Sequence, residues 1–247
     1  MSIIKLSANT LFHFTDKKKN LTSILRNEFY PRYSLENWEP VLGFEREVAI
    51  PMVCFCDIPL SQIHNHTEFY GRYAIGLRKD WGIRNKINPI IYTYSGSLSA
   101  TYLSNIINKV REDGSDLDDY INFLSFTKPY KGKLWQDGKY RDETITFYDE
   151  REWRYIPKVD LKKEGIPNVI AKDEFLNKEF LNEKHAKLES KKLSFEPNDI
   201  KYIIVANESE IYDMATEIRN IKDKFPYKDV EILITRIISM EHIKEDF

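Results

Sequence analysis

The chain is short of cysteine, of net charge and of long apolar runs, and each shortage closes off a class of protein. Only Cys54 and Cys56 occur among 247 residues. Two apart in an apolar run, they point to one side of a strand in a geometry unsuited to bridging each other, which reads as packed thiols in a reducing compartment. Two cysteines and five scattered histidines offer no zinc-ligand spacing, so no metal is expected. A formal charge of −2 argues against a strongly basic nucleic-acid binder, while local patches such as Lys17-Lys18-Lys19 stay open. Met1 to Lys5 lack the apolar core of a signal peptide, and no run is long enough to span a bilayer. A cytoplasmic protein without membrane contact is expected. There is no internal repeat and no Gly-rich phosphate loop.

What is present is an ordinary apolar content of 42% and a high aromatic share of 13%, enough for a sizeable core without covalent staples. The most informative stretch is Tyr148-Asp149-Glu150-Arg151-Glu152-Trp153-Arg154-Tyr155-Ile156. In a strand, side chains two apart share a face, so Glu150 and Glu152 project together. Paired carboxylates repel unless a cation or proton donor sits between them, which suits a positively charged or cation-forming substrate. The alternative is a solvated edge strand in which Arg151 and Arg154 neutralise the acids.

Upstream, Thr10 to Thr15 (TLFHFT) reads as a first strand carrying His13 beside the hydroxyl of Thr15, followed by a helix over Asn20 to Arg26. A lone strand histidine is otherwise a satisfied core residue. A buried strand ends at Asp57, Pro59 opens a helix bearing His66 and Tyr70, Gly71 stops it, and Tyr73 to Leu77 is the next strand. Further on, Lys79 to Ile83 reads as a helical turn and Pro89 to Tyr94 as a strand. Helices follow over Ser99 to Glu112 and Leu117 to Phe126, joined by Asp113-Gly114-Ser115.

Thr127 to Glu143 reads as a loop in which Lys128, Lys131 and Lys133 alternate with Tyr130 and Trp135. Rings for stacking beside ammonium groups for phosphates suit a nucleic-acid strand, RNA or DNA. The plainer reading is a solvated loop whose aromatics pack back on the domain. Past Pro157 come a charged helical segment over Ala171 to Lys192 with the stripe Phe175, Leu176, Phe180 and Leu181, then a strand (Ile200 to Ala206), a helix (Glu208 to Phe225) and a strand (Val230 to Thr235). The expected organisation is a core over residues 1–160 with a helical insertion at about 99–126, and a C-terminal helical and β-α-β extension over 161–247.

The strings LFHFT, YPRYSLE, VAIPMVCFCDIPLS, HTEFYGRYAIGLRKDWGI and YDEREWRYIP, in this order, resemble the AbiGi family of abortive-infection, phage-resistance proteins. The order of elements is also similar, more remotely, to the ADP-ribosyltransferase fold in the DarT-like group of DNA-modifying toxins. The second resemblance implies an α+β fold with a split mixed β-sheet, and NAD as substrate. It implies that His13, with Thr15 beside it, meets the nicotinamide ribose, that Tyr70 or its competitor Tyr73 stacks on nicotinamide, and that Glu152 is the catalytic carboxylate. Glu150 would then position or deprotonate the acceptor, and Arg32 would meet the pyrophosphate. The first resemblance implies a two-gene defence system with a cognate toxin or antitoxin partner. Two functions are therefore expected: an NAD-dependent ADP-ribosyltransferase toxin modifying a macromolecule, or a non-catalytic antitoxin or adaptor built on the same fold.

Overall fold

Alternating and continuous apolar runs become the strands of the computed structural model, which describes residues 7–44, 46–113, 118–221 and 225–246. The expectations for Met1 to Lys5, for Gly114 and Ser115, and for Leu117 lie outside the described residues. The strands are β1 (Thr10–Thr15), β2 (Arg32–Asn37), β3 (Glu47–Cys56), β4 (Tyr73–Arg78), β5 (Asn88–Pro89), β6 (Ile91–Thr93) and β7 (Thr127–Pro129). They continue as β8 (Lys131–Gln136), β9 (Lys139–Thr146), β10 (Glu152–Tyr155), β11 (Ile170–Ala171), β12 (Ile200–Val205) and β13 (Ile237–Ser239). The α-helices are α1 (Lys18–Asn27), α2 (Glu39–Leu42), α3 (Thr67–Tyr70), α4 (Lys79–Arg84), α5 (Leu98–Asp113) and α6 (Asp118–Leu124). After them come α7 (Leu161–Glu164), α8 (Lys172–Leu176), α9 (Lys178–Leu188), α10 (Ile211–Arg219), α11 (Tyr227–Ile234) and α12 (Met240–Asp246). The class is mixed α+β, as expected, with parallel and antiparallel pairs in one sheet.

The chain divides into two units, each drawn from separated stretches: residues 1–29, 54–87 and 193–247 form one, and 30–53 and 88–192 the other. Residues 161–247 are thus shared between the two. In the first unit β4 is central, pairing antiparallel with β1 on one side and β12 on the other, and β13 adds in parallel to β12. The register His13↔Ile75 and Phe12↔Gly76 sorts the side chains onto two faces. Phe12, Phe14, Ala74 and Ile204 face a core with Ile58, Ile63, Met240 and Ile243. On the opposite face the rings of His13, Phe29, Phe55 and Trp81 pack together, edge to face except for the tilted His13–Phe55 pair. Helix α1 forms because Leu21 and Leu25, one turn apart, are both buried, while its lysines stay outside. Gly71 ends α3 at φ 96, where an added Cβ would lie 2.3 Å from the Thr15 carbonyl oxygen.

In the second unit β3 pairs antiparallel with β2 and β11, and β10 with β5. Tyr33, Leu35, Ala49, Ile166, Ile170 and Leu188 make its core, with Trp135, Phe175, Phe180 and Leu181 packed on it. The expected loop of residues 127–143 is instead β7 followed by the hairpin β8–β9, turned at Asp137-Gly138 with both φ angles positive. That dipeptide fits the right-handed twist of a two-residue hairpin turn. The helical segment expected over 171–192 breaks at Asn177, whose side chain accepts from the N–H groups of Glu179 and Phe180 and so starts α9. The strand expected over Val230 to Thr235 is helix α11, because Val230 and Leu233 are buried at helical spacing after Pro226. The parallel partner of β12 comes two residues later, as β13.

Candidate functional site

Glu150 and Glu152 do approach one point, but not as neighbours in a strand. Glu150 closes a 3-10 turn over Phe147–Glu150, Arg151 takes left-handed backbone at φ 46, and only then does β10 begin at Glu152. The turn swings both carboxylates onto Lys128 of β7. Its ammonium donates to Glu150 Oε2 at 2.7 Å and Glu152 Oε2 at 3.0 Å, and lies 4.4 Å from the centre of the Phe147 ring.

Arg154, fully enclosed, completes the cluster from the same face of β10. It donates from Nε to Glu152 Oε1 at 2.6 Å, from Nη1 to the Ser125 carbonyl at 2.8 Å and from Nη2 to Glu36 Oε1 at 2.8 Å. The Glu152 N–H donates to the Tyr92 hydroxyl at 2.9 Å. Burial pushes the Glu36 carboxyl above its ordinary 4.5, against the pull of Arg154 and Lys128, and burial with the Glu152 charge pushes the Tyr92 hydroxyl up. Glu36, Lys128, Glu150, Glu152 and Arg154 are all buried. A buried network of this kind holds three chain segments together at a desolvation cost that its own partners offset.

Lys128 was expected to meet phosphate. Its ammonium is instead interior and bonded to two carboxylates, so it does not offer its charge to a phosphate. Trp135 also turns inward, its ring 4.9 Å from Tyr140 in a T-shaped contact, with the Lys172 ammonium 5.2 Å from its centre. Lys131 and Lys133 are exposed, Lys131 lying 5.7 Å from the Tyr130 ring centre. Arg32 is exposed and donates to the His185 carbonyl at 3.3 Å.

Of the residues expected to bind NAD from the first unit, three share one face of the sheet and Tyr70 falls on the other. His13 Nδ1 donates to the Cys54 carbonyl at 2.8 Å, which fixes the proton on that nitrogen, and Phe29 and Phe55 close on the ring. Burial holds the imidazole below its ordinary value of 6.5, which favours its neutral form. Thr15 and Tyr73 pair across β1 and β4 and share the His13 face. The Thr15 hydroxyl accepts from Asn20 at 3.0 Å, and the Tyr73 hydroxyl donates to Glu210 at 2.9 Å. Tyr70 packs on His66, which packs on Phe14, and so lies on the opposite face. His13 and Tyr70 therefore do not face one nicotinamide ribose, whereas the competing Tyr73 stands with Thr15 on the His13 face. Among the described residues no three His, Cys, Asp or Glu side chains are grouped as a metal ion needs, and no helix is long and apolar enough to cross a membrane.

Sequence reasoning missed Glu36 and Tyr92 altogether and gave Arg154 only a neutralising role at a solvated edge. The signal for Arg154 was its place two residues after Glu152. Nothing in local spacing marks Glu36, 118 residues away from Arg154.

No solved structure matches this chain. A protein of Lactococcus lactis subsp. cremoris, "Abortive phage resistance protein AbiGi", is 31% identical over 252 aligned positions, which cover 89% of this chain and 99% of that protein. The family described as "Putative abortive phage resistance protein AbiGi, antitoxin" matches residues 27–206, a span that includes Glu36, Lys128, Glu150, Glu152 and Arg154. The chain belongs to the AbiGi family of abortive phage resistance proteins.

Proposed function

We propose that this phage-defence protein acts as the non-catalytic, antitoxin-side component of an abortive-infection system, restraining a toxin by binding or counteracting it. One observation supports this reading above others: the carboxylates best suited to catalysis, Glu150 and Glu152, are bonded in the interior to Lys128 and Arg154. A carboxylate that stabilises a cationic transition state must face the reacting atoms, and a bonded lysine and arginine stand where that cation would be. The description of the matching family as an antitoxin points the same way.

The rival is an NAD-dependent ADP-ribosyltransferase acting on RNA, DNA or protein, favoured by the convergence of the two carboxylates on one point. Expression separates them. The antitoxin reading expects normal growth with this chain alone and relief of arrest when it is co-expressed with the toxin of its system. Growth arrest by the chain alone, relieved by Glu152→Gln, together with label transfer from NAD to a nucleic-acid or protein pool, would replace it with the transferase.

A further inference from the structure

From Asn88 to Asn108 the chain contains no Asp, Glu, Lys or Arg, although 31% of the protein is charged. This stretch is not a buried run. β6 leads through a tight turn, in which the Ser97 N–H donates to the Tyr94 carbonyl, into α5, and the Thr93 hydroxyl pins the start of that helix through Ser97 and Ser99. The inner face of α5 buries Ala100, Ile107 and Val110, and Ser104 donates to the Leu42 carbonyl of α2. Its outer face carries Leu98 and Tyr102, one turn apart and 90% and 68% exposed, just after Tyr94 at 64%.

The parallel pair β6–β7 brings a second strip of rings beside the first. Thr93 stands opposite Pro129, and the Tyr130 N–H donates to the Thr93 carbonyl, so Tyr130 lies next to Tyr94 along the ladder. Tyr148 packs 5.9 Å from Tyr130 and 5.4 Å from Tyr92. Tyr130 and Tyr148 are 37% and 52% exposed.

We infer that Tyr94, Leu98, Tyr102, Tyr130 and Tyr148 form the docking surface for a second protein, the toxin of the system; this rests on the antitoxin reading above. Three features select that occupant. Aromatic enrichment with charge depletion, set among serines, threonines and asparagines, is the composition of a protein-recognition centre, in which tyrosines give area and hydroxyls and amides give adaptable hydrogen bonds. A polyanion is disfavoured because residues 88–108 supply no cation for phosphates, the exposed Lys131 at the rim is matched by the exposed Asp149, and Leu98 has no ring on which a base could stack. The exposed area of the five side chains is about 600 Å², taking roughly 200 Å² for each when fully exposed. That matches the centre of a standard interface of about 800 Å² per partner and falls short of an obligate homodimer. Exposed charges flank the rings, Lys131 beside Tyr130 and Asp149 beside Tyr148, as a polar rim would.

The test measures binding of the purified toxin to the whole chain by calorimetry. Leu98→Ser with Tyr102→Ser, and separately Tyr94→Ser with Tyr148→Ser, should each weaken binding roughly thirtyfold or more, as loss of a central anchor does. The thermal midpoint of the first variant should stay at the wild-type value because both side chains are exposed, and that of the second should fall only by what the Tyr148 packing on Tyr92 contributes. Tyr212→Ser, at an exposed tyrosine of the other unit, should bind like wild type. If wild type binds and both double variants bind equally well, the surface assignment is overturned while the antitoxin reading stands. Toxin that fails to bind wild type and is not neutralised by it overturns that reading and the surface with it. If the substitutions leave toxin binding intact and abolish self-association in light scattering, or abolish retention of single-stranded RNA, the occupant is a second copy or a nucleic acid and the proposal falls.

Discussion

Arg154 grips Glu152 with two of its nitrogens, Nε at 2.6 Å from Oε1 and Nη2 at 3.3 Å from Oε2, although only Trp153 separates them. Neighbours two apart on a strand rarely pair this closely in solvent. Burial is what makes the grip matter, because each charge here has lost its water.

The lysines of one short segment should therefore behave in opposite ways. Lys128→Ala removes the buried ammonium that bonds both Glu150 and Glu152 and is expected to cost about 3–5 kcal/mol. Lys131→Ala and Lys133→Ala, at exposed positions, should change stability by no more than about 0.5 kcal/mol. Urea unfolding of the three variants checks this. Equal effects would mean that the Lys128 ammonium is not held as described.

Glu36 gives a pH signature. Its folded carboxyl is raised above 4.5, so the proton is favoured by folding, and the stability it contributes is full below 4.5 and lost as pH rises through the folded value. Glu36→Gln keeps an oxygen to accept from Arg154 and cannot ionise. The variant should match wild type in acid and gain on it toward neutral pH, read as the urea midpoint against pH. A variant that loses ground as pH rises contradicts the assignment.

The histidines act in the other direction. Burial lowers His66 and His185 to about 4 from 6.5, with the Arg32 charge adding to the effect on His185. Folding favours their neutral forms, so the stability they contribute is present above 6.5 and falls as pH descends toward about 4. His185 Nε2 accepts the Tyr33 N–H at 3.1 Å and must give up that bond on protonation. In His185→Gln the loss of stability between pH 6.5 and 4 should shrink, measured by thermal melts across the window.

Gly71→Ala meets two obstacles at once, a φ of 96 and the Thr15 carbonyl oxygen at 2.3 Å from the new Cβ. Gly96, at φ 81, has open space around it. The first substitution is expected to cost more than about 3 kcal/mol and the second about 1 kcal/mol, since only the backbone conformation is penalised there. Thermal denaturation of both variants gives the comparison.

Local rules carried a good part of the fold. Alternation around His13, the leucine pair of α1 and the Gly71 stop each depend on neighbours in sequence, and β1, α1, the end of α3 and β4 follow them closely. The helix expected to open at Pro59 is instead a 3-10 helix over Leu60–His66 before α3. The hairpin β8–β9 carries the turn dipeptide Asp137-Gly138, which the reading of 127–143 as a loop of lysines and rings leaves unused. Helix α11 goes the other way: the segment expected as a strand over Val230 to Thr235 is a helix because Val230 and Leu233 pack at helical spacing. The site was legible only as a carboxylate pair. Its partners arrive through tertiary contacts, Lys128 from β7 and Glu36 from β2, and the 3-10 turn that aims Glu150 depends on the φ of Arg151, which composition does not encode.

The division of the first unit has a consequence for the chain as it leaves the ribosome. Strand β4 gains its second neighbour only when β12 is synthesised, from Ile200 onward, so until then one edge of β4 is unpaired. The other unit ends at Lys192 and has all its strands in hand before that point. The middle of the polypeptide is therefore complete before the first unit has its last strands, and a chain released between Lys192 and Ile200 would carry all of the middle unit and leave β4 with an open, aggregation-prone edge.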